Sequence, residues 1–82
     1  MKIGEKLLKL LSKKYEPEQM LDRRFERYDI SFKTDSEGNP ILLFIGERGV
    51  DGNIRGERFV RVLVRDRDGK LLKDHWDAKG KT

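Results

Sequence analysis

The chain has 82 residues, with 19 Lys and Arg against 15 Asp and Glu, a formal net charge of +4 and no cysteine. That length admits one domain with one modest core. The missing thiols exclude a disulfide framework and any thiolate metal site, which suits a reducing, cytoplasmic setting. The charge is unevenly placed: residues 1–25 carry 7 basic against 4 acidic side chains, residues 26–57 carry 4 against 7, and residues 58–82 carry 8 against 4. Basic ends permit attraction to nucleic acid or anionic surfaces, but with both signs interleaved they serve ordinary solubility equally well. Lysines at positions 9, 13 and 14 interrupt the leucines near the start, so neither a leader-type apolar stretch nor a membrane span is expected.

Ile3, Leu7, Leu8, Leu11 and Tyr15 fall at helical spacing, with Leu10 at the margin of the stripe and lysines mostly elsewhere. This predicts an amphipathic helix ending near Lys14, because lysines suit the C-terminal end of the helix dipole and Pro17 disfavours helix at the residue before it. Pro17, flanked by Glu16 and Glu18, then suits the first turn of a short second helix with Met20, Leu21 and Arg24 or Phe25 on its narrow apolar edge.

Tyr28, Ile30 and Phe32 alternate with polar neighbours, as in a half-buried strand, whereas Ile41, Leu42, Leu43, Phe44 and Ile45 are apolar at every position. Asp35-Ser36-Glu37-Gly38-Asn39 and Asp66-Arg67-Asp68-Gly69-Lys70 each put glycine where a hairpin loop needs a left-handed residue. If those loops alone set the register, Phe32 lies beside Leu42, Ile30 beside Phe44, Val64 beside Leu72 and Val60 beside Trp76. Ile41, Leu43 and Ile45 then face the other way, with Phe59, Arg61, Leu63, Arg65 and His75. A slip of one residue would invert every one of these assignments. Between the hairpins, Gly46, Gly49, Gly52 and Gly56 predict a mobile loop or the floppy end of a long hairpin, and residues 77–82 predict a disordered basic tail after a domain at 1–76.

The fold expected is α+β: an N-terminal helix and a short second helix packed on a four-stranded antiparallel β-meander. Burying Leu7, Leu8 and Leu11 would supply about 1.5–3 kcal/mol each before entropy is charged, so Leu8→Asp is expected to unfold the domain.

Catalytic chemistry finds little support. Ser12, Ser31 and Ser36 are the only serines, none predicted near His75, and no nucleophile, base and orienting group converge. Asp74 and Asp77 flank His75 from opposite faces of a strand, so no metal site is expected, and no cofactor. The glycine-rich segment matches neither the dinucleotide fingerprint nor the Walker pattern.

The expectation is therefore a non-enzymatic binding module. Its partner-binding face would comprise Ile41, Leu43, Ile45, Phe59, Arg61, Leu63 and Arg65, apolar groups interleaved with arginine as in interface hot spots. The partner would be a protein or a second copy of the chain. A different class of function, RNA or single-stranded DNA binding, would use Arg48, Arg55, Arg58, Lys73 and His75, although no paired aromatics of the RNA-recognition kind occur.

Overall fold

The computed structural model describes residues 3–82; Met1 and Lys2, the start of the expected domain, lie outside the described residues. One helix, α1 (Glu5–Leu11), precedes five strands: β1 (Met20–Phe25), β2 (Tyr28–Thr34), β3 (Pro40–Arg48), β4 (Ile54–Arg65) and β5 (Leu71–Lys81). They form a single antiparallel meander in the order β1-β2-β3-β4-β5. Among the described residues no helix is long and apolar enough to cross a membrane.

The α+β class is as expected, but among the described residues the strands number five and there is no second helix. Residues 20–25 pair with β2 from Met20 opposite Lys33 to Phe25 opposite Tyr28. The spacing that suggested a helix was ambiguous, because Leu21 and Phe25 are four residues apart and four is also an even number. They share a face of a strand as readily as a face of a helix. The linker before β1 is committed to the sheet by Thr34. Its buried hydroxyl donates to the Glu16 carbonyl at 2.6 Å and accepts the Gln19 N–H at 2.9 Å, leaving Gln19 extended alongside β2. The β1–β2 turn is only Glu26-Arg27, with Glu26 at φ 53°, a left-handed position that carries no glycine or asparagine to announce it.

Helix α1 is shorter than its apolar stripe. Seven residues end at Leu11 because its last four carbonyls, which no helical N–H can reach, all find other donors. The Ser12 hydroxyl donates to the Leu8 carbonyl, the Ser12 N–H to Lys9, the Tyr15 hydroxyl to Leu10 and the Arg61 guanidinium to Leu11, at 2.6–3.3 Å. Glu5 in the first turn and Lys9 in the last suit the helix dipole.

The two expected hairpin loops close as read: Gly38 and Gly69 both sit at φ 85°, and Asp35 and Asp66 each accept two loop N–H groups. Their first pairs, Thr34 with Pro40 and Arg65 with Leu71, are those the loops dictate. One residue further on, each hairpin shifts by a β-bulge. Lys33 pairs with Leu42 and Val64 with Lys73, so Ile41 and Leu72 are left as extra residues. Every later side chain on β3, and on β4 paired with it, therefore faces opposite to expectation, while the second bulge returns β5 to its expected faces, with Trp76 on the helix side and His75 on the other: Phe32 lies beside Leu43, Ile30 beside Ile45, and Arg61 beside Trp76. The core gathers Leu7 and Leu11 from α1 with Ile30, Phe32, Leu43, Ile45 and Phe59, and the Tyr15 ring tilts over Phe32 with centroids 5.0 Å apart.

The remaining differences lengthen the sheet. The glycine-rich segment is mostly strand, with pairing unbroken from Leu42–Val60 to Arg48–Ile54 and a tight loop at 49–53. Gly46 and Gly56 face each other where β3 and β4 come so close that a Cβ on Gly56 would stand 2.1 Å from the Ile45 carbonyl oxygen. Residues 77–81, expected as a tail, continue β5, and Thr82 closes the edge by donating its N–H to Gly56 and its hydroxyl to Ile54.

Leu8 is 44% exposed whereas Leu11 is fully buried, which moves the sensitive position from the one expected. Leu11→Ala should cost about 2–5 kcal/mol in chemical denaturation, and Leu8→Ala less than about 1 kcal/mol. Equal losses at the two positions would contradict this placement of the helix.

Candidate functional site

Alternation along a pleated sheet sorts its side chains into two faces, and α1 covers only one of them. Leu21, Ile30, Phe32, Leu43, Ile45 and Phe59 lie beneath the helix or beside it. The opposite face follows from the same registers: Leu42 beside Val60, Phe44 beside Arg58, Val62 beside His75 and Val64 beside Lys73. Among the described residues no second helix roofs it. Leu42, Phe44, Val60 and Val62 are half-buried by their neighbours in the sheet, and Val64 is exposed.

This placement overturns the expected partner-binding set. Leu43, Ile45 and Phe59 are core residues with almost no exposed surface, and Ile41 is the half-buried bulge residue. Leu63 lies on the helix side, and Arg65 closes its own hairpin by donating to the Gly69 carbonyl at 3.2 Å. None of these can present a free apolar surface on the open face. An apolar face left over by the helix does exist, but its members are Leu42, Phe44, Val60, Val62 and Val64, each one residue away from an expected one. Only the bulges decide between the two sets, and nothing in the local sequence marks them.

Arg61 is the furthest from an interface residue. Its side chain is 8% exposed and engaged on three sides. Nε and Nη2 form a fork to the Asp74 carboxylate at 2.7 and 2.8 Å, and Nη1 donates to the carbonyls of Leu11 and Pro40, both at 3.2 Å. The guanidinium also stands 5.9 Å from the centre of the Trp76 ring. Planar, bidentate pairing of this kind is what arginine does better than lysine. The Arg61 hydrogen bonds hold the Asp74 carboxyl below the usual carboxylate range; burial opposes them, and the Arg61 charge adds to them.

The residues expected to meet nucleic acid or another anion divide. Arg58, Lys73 and His75 share the open face. Arg48 joins them at one end but is already committed: Nη2 donates to Asp22 at 3.0 Å and to Ser31 at 2.9 Å, and Nη1 to the Gly52 carbonyl, which draws the 49–53 loop over the sheet end. Ser31 also donates a short hydrogen bond to Asp22, the main cause of a lowered Asp22 pKa, with burial opposing and the Arg48 charge assisting. These groups wall a cleft of about 580 Å³ with an apolar floor of Met20, Phe44 and Ile54. Arg55 lines that cleft too and, with Arg24, Arg27 and Tyr28, a second one at the same end of the sheet. His75 is paired through Nε2 with Asp77 at 3.2 Å, while Asp74 is held on the other face by Arg61.

Comparison with protein-family models, with curated proteins and with solved structures finds no match to this chain.

The Arg61–Asp74 pair yields a test of both its parts. Arg61→Ala should lower stability by about 2–3 kcal/mol, since it strands Asp74 and two carbonyls. Because the folded pKa of Asp74 lies below its unfolded value of about 3.9, the pair's contribution is present above that value and is lost as the pH falls through the lowered one. Thermal unfolding followed from neutral to acid pH should show a smaller acid loss in Asp74→Asn than in the parent chain.

Proposed function

We propose that this protein is a non-enzymatic binding module that docks a protein partner on the open face of its sheet. The observation that carries the reading is the uncovered apolar strip formed by Leu42, Phe44, Val60, Val62 and Val64. Five strands with one short helix leave half of a two-layer architecture unbuilt, and packing a second layer against a sheet is how such a face is ordinarily buried. Flat β-branched and aliphatic side chains suit protein packing. They are poor stacking platforms, because base stacking needs aromatic faces and this strip offers Phe44 alone.

A second reading, single-stranded nucleic acid, draws on Arg58 standing directly across from Phe44, which would place a phosphate contact beside a stacking ring. Its signature would be an affinity that falls steeply with salt through counterion release.

A photo-crosslinking residue placed at Val62 and, as a control, at exposed Glu16 distinguishes these readings in the protein's native cells. Val62 should give a discrete protein adduct that Glu16 does not, and Phe44→Ser should abolish it with the fold retained. A nuclease-sensitive adduct would favour the second reading, and no adduct at Val62 would remove the support for docking on this face.

A further inference from the structure

The charges around the open face are asymmetric in a way that their numbers conceal. Every carboxylate on that face is occupied. Asp22 accepts from Ser31 and Arg48; Asp29 accepts from Arg24 at 3.3 Å through one oxygen and from the Arg48 N–H at 2.9 Å through the other; Asp77 pairs with His75. Three of its cations are not. Lys33 opposite Leu42, Arg58 opposite Phe44 and Lys73 opposite Val64 have no hydrogen-bond or ion-pair partner among the described residues. The face is therefore an apolar strip with three unengaged positive charges distributed along it and each of its carboxylates already held by a neighbouring side chain or N–H.

Burying that strip against a partner would bring these cations out of bulk water, which costs free energy unless each meets an anion. A second copy of the same face would bring its own unengaged cations and engaged carboxylates, so like charges would meet across the contact. We infer that the occupant is an acidic protein segment, with apolar side chains on Leu42, Phe44, Val60 and Val62 and carboxylates reaching Lys33, Arg58 and Lys73. This inference rests on the docking reading and adds the chemistry of the partner to it. Charge complementarity at the rim of an apolar contact governs specificity and association rate, so the acidic character should be most visible in discrimination between partners and in salt dependence.

The test uses fluorescent amphipathic peptides as probes: one with leucines on one side and glutamates on the other, and one with glutamine in place of every glutamate. Binding is measured at low and high salt, with backbone resonances reporting where each peptide lies. The glutamate peptide should bind the open face about tenfold more tightly than the glutamine peptide at low salt, and high salt should remove most of the difference. Arg58→Glu combined with Lys73→Glu should reverse the preference while leaving the thermal transition in place.

Equal binding of the two peptides on this face would overturn the acidic assignment and leave the docking reading standing. Failure of both peptides to perturb the face would overturn the docking reading and the assignment with it. Stronger binding of oligo(dT) or of anionic lipid vesicles, or a doubled mass in light scattering that Val62→Glu abolishes, would replace the acidic segment by nucleic acid, a membrane surface or a second copy, respectively.

Discussion

A strand sends successive side chains to opposite faces, so a single extra residue inverts everything beyond it. In this protein two such residues, Ile41 and Leu72, follow directly after the first pair of their hairpins, and the partition of the sheet into a buried and an open face depends on them. Without the bulge at Ile41, Phe44 and Leu42 would sit under the helix and Leu43 and Ile45 would face outward. With it, Leu43 and Ile45 fill the core beside Phe32 and Ile30. An apolar run with no polar position leaves both registers open to β3, and three-dimensional packing selects one.

The other decisive element is Arg61. Its guanidinium takes the carbonyl that ends α1, a carbonyl at the start of β3 and the Asp74 carboxylate of β5, so one side chain fixes the helix against three strands. Tyr15 and Ser12 satisfy the neighbouring helix carbonyls, and Thr34 draws the following linker into the sheet. A helix of seven residues spans only about 10 Å. It covers the middle of one face and has no counterpart on the other.

The open face is thus a consequence of how the covered face is built. Its apolar strip comes from strands that are hydrophobic on both sides, and its electrostatic character comes from which charges find local partners. Arg48 is withdrawn from the surface by Asp22, Ser31 and the Gly52 carbonyl, whereas Lys33, Arg58 and Lys73 keep their charges unengaged. Counting arginines along the chain cannot make this distinction. Arg61, the most buried of those expected at an interface, serves the core, while Arg58 three residues away faces outward.

The helix stripe, the glycine-marked loops at 35–39 and 66–70 and the surplus of apolar residues in β3 were all legible in the residues themselves, because each rests on local periodicity or on a left-handed position that glycine supplies. The β1–β2 turn was not, since Glu26 adopts a left-handed conformation without the residue types that signal one. The apolar spacing of residues 20–25 fits a helix and a strand equally well, and only pairing with β2 decides for the strand. The amino-acid sequence by itself determined that this is a small α+β domain with more apolar strand surface than one short helix can cover. Which residues form that surface was decided only in three dimensions, because a bulge is chosen by how well whole faces pack, and that comparison exists only once strands distant in sequence lie side by side.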